Sequence, residues 1–415
     1  MKQYGCIGKK LTHSFSKEIH GMLADYDYKL IELNEDEIAP FFAKKEFSAV
    51  NVTIPYKQTV IKYLDEISPV AERIGAVNTV VNRDGKLYGY NTDYYGMKAL
   101  IERAGVDLCG KKVLILGTGG TSKTAGVLAG DLGASSIFTV SRRKTESAIT
   151  YEEAVVYHKD ADVIINTTPS GMYPDCESTP IELNAFTDLT GVIDVVYNPL
   201  CTNLVLDAKE KGIQAQGGLY MLVMQAVVAV ERFLDTQIAT EVADRVYAPI
   251  CSAKENIVLT GMPGSGKSTV GKLLQIPGFT FVDTDTEIEN ICGCTIRELI
   301  QTKGENYFRD LETEVIRKVS MEGRRIISTG GGAVLRNENV RFLKQNGKLF
   351  FLNAQLARLQ ATEDRPLSNT KEKLAQLYEQ RMPIYQETAD VIVPDFGTAQ
   401  EEADYILWKR EEMIL

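Results

Sequence analysis

Apolar positions along the chain follow two periods. Short apolar runs at 29–33, 49–54 and 76–81 are separated by stretches whose apolar residues recur every three or four positions, a pattern that predicts strands interleaved with helices. Further on the runs sharpen into KKVLIL at 111–116, SSIFTV at 135–140, DVIINTT at 162–168 and GVIDVV at 191–196. Each is too uniformly apolar for a strand with one wet face. Such runs, spaced by helix-length segments, predict a doubly wound parallel sheet. The apolar stretch near 218–235 predicts a buried helix, since Gln225, Glu231 and Arg232 interrupt it too strongly for a membrane span. Residues 244–255, DRVYAPICSAKE, mix charge, Pro and Ser and read as a linker; a third block then opens with the apolar run NIVLT at 256–260.

Composition narrows the class. With 415 residues, 44% hydrophobic and 25% charged, the chain suits a globular α/β protein of two or three domains. The balance of 46 Lys+Arg against 56 Asp+Glu, a net charge of −10, argues against nucleic-acid binding and means that any anionic ligand must be held by local groups. Seven cysteines at irregular spacing form no disulfide framework, and the close pair Cys292 and Cys294 has no His or Cys beside it to complete a metal site. The N-terminus, MKQYGCIGKK, has no apolar signal core. The expectation is a cytoplasmic protein with small-molecule partners, and neither nucleic acid nor membrane among them.

Two glycine loops bring the chemistry. In the first, the run 111–116 feeds GTGGTS at 117–122 and then a helical pattern. Gly117 falls at the tight turn, Gly119 and Gly120 where backbone approaches a pyrophosphate, and the small Ser122 where helix and strand touch. Such a loop also serves any tight strand-to-helix turn, so the next strand decides. It ends Ser141-Arg142-Arg143-Lys144, not in the acidic residue that binds an NAD ribose, and cations there favour a 2′-phosphate and hence NADP(H). In the second, GMPGSGKST at 261–269 follows a strand and fits G-x-x-x-x-G-K-[ST]. In that template the amides of a loop such as Gly264, Gly266 and Thr269 form wrap the phosphates of ATP, Lys267 reaches the outer ones and Ser268 ligates Mg2+.

Over its first 245 residues the chain resembles shikimate dehydrogenase. The resemblance rests on THSFS at 12–16, NVTIPYK at 51–57, GAVNT at 75–79, GYNTD at 89–93, GTGGTS, NTTPSGM at 166–172, DVVYNPLCT at 194–202 and GGLYMLVMQ at 217–225. It implies NADPH-dependent reduction of 3-dehydroshikimate, with Lys57 as general acid/base and Asp93 as its orienting partner. It also implies Ser14 and Ser16 on the substrate carboxylate, with Asn51, Thr53, Asn78, Tyr197 and Gln225 around the hydroxyls and carboxylate. The family's usual N-R-T at the adenosine phosphate is SRRK here, which keeps Arg142. A substrate-binding domain at 1–98, with a helix at 218–245 packing back on it, and a Rossmann NADP-binding domain at 99–217 would follow.

Residues 256 to about 410 resemble shikimate kinase, through FVDTDTEIE at 281–289, GENYFRDLE at 304–312, ISTGGGAV at 327–334, ARLQATEDRPL with Arg358 and Arg365, and QRMPIY at 380–385. This implies a kinase domain at 256–415 beyond a linker at 246–255, with a parallel sheet flanked by helices. Asp285 would position the accepting hydroxyl and Asp283 would hold Mg2+ through water. Arg309 and Arg381, with Gly331 and Gly332, would take the carboxylate; Arg365 would swing in on a lid and Arg358 would lie against adenine. Together the resemblances imply a bifunctional enzyme making shikimate and then shikimate 3-phosphate. The alternatives are a quinate/shikimate dehydrogenase fused to a kinase of another small polyol, and a non-catalytic nucleotide sensor.

Overall fold

The computed structural model describes residues 3–11, 15–359 and 370–414. The chain divides into two compact units, Met1–Pro249 and Ile250–Leu415. In the first, the strands β1 (Tyr4–Gly8), β2 (Tyr28–Glu32), β3 (Ala49–Val52), β4 (Glu66–Ile67), β5 (Thr79–Arg83) and β6 (Lys86–Tyr90) form a mixed sheet in the order β2-β1-β3-β5-β6-β4. Strand β1 is parallel to both of its neighbours, whereas β3, β5 and β6 run antiparallel in turn.

The same unit holds a second sheet, made of β7 (Lys112–Leu116), β8 (Ser136–Ser141), β9 (Ile149–Thr150), β10 (Val163–Asn166), β11 (Gly191–Asp194) and β12 (Gln214–Gln216). It is wholly parallel, in the order β12-β11-β10-β7-β8-β9. That order reverses between β7 and β10, the switch point at which doubly wound folds bind ligands beyond the carboxyl ends of their strands. The four apolar runs are its four inner strands. Val113, Leu114, Ile115, Ile164 and Ile165 have no exposed surface, as burial on both faces requires.

The boundary expected at 98–99 falls inside the helix Asp93–Arg103. Met97, Leu100 and Ile101 of that helix pack with Val113, Ile115 and Ile193 of the second sheet in one core cluster, so the helix is shared. The helix expected over 218–245 is two helices. The first, Leu219–Leu234, is stopped by Asp235 in the left-handed region (φ 53). It packs on the helices Ser16–Leu23 and Asp93–Arg103.

The second of these, Thr240–Lys254, corrects the linker expected at 246–255. Its buried residues Ala243, Val246 and Ile250 lie three and four positions apart, a helical stripe that Pro249 and the flanking charges obscured. Arg103 pairs with Asp244 at 2.8 Å and lies over the rings of Tyr220 and Tyr247.

In the second unit β13 (Asn256–Thr260), β14 (Thr280–Asp283), β15 (Arg325–Ser328), β16 (Gly347–Leu352) and β17 (Val391–Val393) form a parallel sheet ordered β14-β15-β13-β16-β17. The glycine loop follows the central strand β13. The helix after it, Lys267–Leu273, ends early, and Gly278 (φ 80) turns the chain into β14. Among the described residues no helix is long and apolar enough to cross a membrane.

Candidate active sites

In the first unit, chain segments that are far apart in sequence converge on a cleft of about 840 Å3. Strand β6 ends at Tyr90, and Asn91 then accepts from the Tyr94 N–H (3.2 Å), which starts a helix with Asp93 in its first turn. A carboxylate is favoured there by the unpaired amides and the helix dipole. Lys57 leaves the turn after β3, where its carbonyl is fixed by the Val77 N–H (2.8 Å) and the neighbouring Tyr56 hydroxyl by the Leu33 carbonyl (2.6 Å). The two side chains meet with Nζ 2.6 Å from Oδ2.

Behind this pair stands a buried polar network. The Asn78 amide donates to Asp93 Oδ1 (2.9 Å) and Thr92 Oγ1 (3.0 Å) and accepts from the Thr92 N–H (2.7 Å) and the Thr79 hydroxyl (3.1 Å). Asn78, expected on the substrate, spends these groups on orienting Asp93. Asn51 donates to Thr79 Oγ1 (3.1 Å) and the Asn78 carbonyl (3.3 Å), while its Oδ1 accepts from the Tyr28 hydroxyl (2.7 Å). With both amide hydrogens used inside, Asn51 offers the cleft an acceptor, suited to a ligand hydroxyl.

The same cleft gathers Ser16, Thr53, Tyr197 and Gln225, together with Thr121, Thr167 and Thr168 from the loops after β7 and β10. Ser14 lies outside the described residues. Asp194, at the end of β11, accepts from Thr202 (2.6 Å), Asn166 (3.0 Å) and the Val196 N–H (3.0 Å), so it ties the Thr167 and Tyr197 loops together. Burial pushes its carboxyl up to about 6.

The first glycine loop lies beside the cleft. Gly117 needs to be glycine on the protein's own account: its φ is 108, and a Cβ would come 2.8 Å from Thr167 Oγ1. A Cβ on Gly119 or Gly120 would meet no protein atom within 4 Å, and the helix Gly120–Asp131 begins with no side-chain cap. Open backbone amides of this kind fit a pyrophosphate. Ser141 is turned onto its own loop, receiving the Arg143 N–H at 3.3 Å. Lys144 is paired with Glu153, whereas Arg142 and Arg143 are exposed beside the loop.

In the second unit a cleft of about 790 Å3 brings together Gly264, Gly266, Lys267, Ser268, Thr269, Asp283, Asp285, Arg309, Gly331, Gly332 and Arg381. Lys267 is buried and donates to the Gly261 and Met262 carbonyls (2.9 Å each). The Ser268 hydroxyl donates to Asp283 Oδ2 (2.6 Å), and Asp283 also caps the next helix through the Asp285 N–H (3.1 Å). A hydroxyl beside one carboxylate, at a phosphate loop, is the sparse oxygen set that suits Mg2+ completed by water and phosphate. Among the described residues no cluster of three or more His, Cys, Asp or Glu competes as a metal site.

Asp285 Oδ1 and Glu312 Oε1 are buried and make no hydrogen bond. Burial, then the charges of Asp283 and Glu312, push the Asp285 carboxyl up to about 6, against the pull of Lys267. Arg309 is held by Glu312 (2.7 Å) and Glu305 (3.2 Å), and Arg381 donates to the Gly331 carbonyl (2.9 Å), which also receives the Tyr385 hydroxyl. The glycine turn is dictated by crowding, for a Cβ would lie 2.6 Å from Asp285 at Gly330, 2.7 Å from Pro263 at Gly331 and 2.4 Å from Arg309 at Gly332. Arg358 does not line this cleft; it pairs with Asp395 and donates to the Gly397 carbonyl (2.9 Å). Arg365 lies outside the described residues.

Sequence reasoning left Thr79, Thr92, Glu312 and Tyr385 without roles although each lies inside a motif it used. Tyr28 stood in no motif.

Family models match "Shikimate dehydrogenase substrate binding domain" over residues 6–80 and "Shikimate kinase" over residues 263–410. A shikimate dehydrogenase (NADP(+)) of Clostridium beijerinckii is 37% identical over 265 residues, spanning 60% of this chain and 97% of that protein. This chain belongs to the shikimate dehydrogenase family. It carries a shikimate kinase domain behind the dehydrogenase. Among solved structures, shikimate dehydrogenase 1 of Peptoclostridium difficile is 38% identical, covering 60% of this chain and 98% of that one with a TM-score of 0.55. A chorismate mutase/shikimate 5-dehydrogenase fusion protein of Clostridium acetobutylicum is 33% identical over 60% of this chain and 97% of its own, with a TM-score of 0.57. The family models and relatives support a bifunctional shikimate-pathway enzyme using NADP and ATP.

Proposed function

We propose that Lys57 and Asp93 carry the reduction of 3-dehydroshikimate to shikimate, and that Asp285, Lys267, Arg309 and Arg381 carry phosphorylation of shikimate to shikimate 3-phosphate. The reading rests on the 2.6 Å Lys57–Asp93 pair, set in a cleft whose other polar groups are neutral hydroxyls and amides apart from Lys10.

NADPH supplies the hydride when bound. As the carbonyl carbon receives it, charge grows on the oxygen, and the Lys57 ammonium donates a proton there and becomes neutral. Asp93 holds Nζ in place, Asn78 holds Asp93, and Asn51 accepts from a ring hydroxyl. Thr53, Tyr197 and Gln225 complete the wall, with Ser14 and Ser16 on the carboxylate. Arg142 and Arg143 select the 2′-phosphate.

MgATP supplies the phosphoryl group when bound. Lys267 leaves its two backbone carbonyls for the outer phosphates, while Ser268, and Asp283 through water, would hold Mg2+. Asp285 orients the accepting hydroxyl and Arg309 and Arg381 fork onto the carboxylate; the family resemblance assigns Arg365 to the charge of the transferring group. We place Arg358 at adenine after it exchanges its Asp395 partner. The seven cysteines, unbridged by any disulfide, suit a reducing cytoplasm.

A coupled assay from 3-dehydroshikimate with NADPH and then ATP tests both halves. Lys57→Ala should lower reduction by ~10^2–10^4-fold and leave kinase turnover intact. A folded native protein that turns over neither substrate refutes the reading.

A further inference from the structure

The dehydrogenase cleft carries a charge that the pathway from Lys57 to Asp93 does not use. Its lining includes three side chains of acidic or basic type: Lys10, Lys57 and Asp93. Lys57 and Asp93 cancel at 2.6 Å. Lys10 has no hydrogen-bond or ion-pair partner among the described residues, so the cleft bears one net positive charge in a chain whose net charge is −10.

The backbone under Lys10 is anchored. Leu11 is buried and its N–H donates to Glu32 Oε1 at 2.7 Å, while the preceding strand β1 is locked between β2 and β3. Lys10 therefore stands at the cleft wall on the same β1-to-helix segment as Phe15 and Ser16, which also line it. A long stem with an ammonium at its tip reaches an anion from such a position without burying itself.

We propose that Lys10 is a specificity-determining residue of the dehydrogenase, its ammonium pairing with the carboxylate of the substrate. This rests on the dehydrogenase reading above. The neutral hydroxyls of the cleft fix geometry, and Lys10 supplies the charge that favours a ring acid over a neutral polyol and raises encounter with anions against the repelling field of the whole chain.

The test compares native protein, Lys10→Gln and Lys10→Arg in NADP+-dependent oxidation of shikimate and of its methyl ester, the ester being followed as a competitive inhibitor if it is bound but not oxidised. Lys10→Gln should raise KM for shikimate ~10-fold with kcat and the KM for NADP+ unchanged, leave the ester's constants as they are, and flatten the salt dependence of kcat/KM. Lys10→Arg should keep most of the native preference for the acid. An equal loss for acid and ester, a loss residing in the KM for NADP+, or no loss at all overturns the assignment. Failure of the native protein to oxidise shikimate would instead sink the dehydrogenase reading itself.

Discussion

Asp285 shows how a single buried carboxylate can cost the folded state stability. Its folded carboxyl, at about 6, lies above the ordinary carboxylate value, so the folded unit holds the proton more tightly than the unfolded chain does. The stability it contributes is present at low pH and is lost as pH rises through 6. At neutral pH the ionised, unpaired Oδ1 therefore costs stability. Asp285→Asn should raise the melting temperature of the kinase unit by a few degrees at pH 7.5 while abolishing phosphorylation, and calorimetry should show the gap closing near pH 4. A variant less stable than native at pH 7.5 would mean the carboxylate is satisfied. Lys267 and Ser268 were legible in the sequence because they sit at fixed short offsets in the phosphate-loop template, while Asp283 and Asp285 were named by the resemblance carried in FVDTDTEIE. The unpaired state of Asp285 was not legible, since Glu312 reaches it from another helix.

At the scale of elements, the turns do the positioning. The segment from β15 into Gly330-Gly331-Gly332 passes so close to Arg309 that a methyl group at Gly332 would lie 2.4 Å from its guanidinium. The far end of an arginine can move where a strand cannot. Gly332→Ala should therefore leave the fold intact, raise the kinase KM for shikimate ~10-fold by displacing Arg309, and leave dehydrogenase rates unchanged. An unaltered KM would show that Arg309 need not hold this position. The strong apolar runs were readable as strands because burial on both faces leaves no polar register to confuse them. The two-residue strands β4 and β9 are too short to carry a period, and the helix Thr240–Lys254 was hidden by Pro249 among its charges.

For the whole molecule, two compact units imply two unfolding events. NADP+ at about 100 times its Kd should stabilise the first by ~2.7 kcal/mol and leave the second unmoved, while ATP with Mg2+ should do the reverse. Differential scanning calorimetry would show two peaks that shift separately; a single transition that follows either ligand would contradict independence.

The sequence by itself determined the two nucleotide-type glycine loops and the parallel sheets, because each depends on local spacing that a chain carries in its order; the candidate catalytic residues came from the family resemblance of the motifs. Tertiary structure alone decided what those residues do to one another: Asn78 spent on Asp93, Asn51 left with an acceptor, Arg358 drawn onto Asp395, and Lys10 left as the uncancelled charge of its cleft. Partners, burial and net local charge are properties of three-dimensional neighbours, and residues tens of positions apart acquire them only when the sheets bring their ends together.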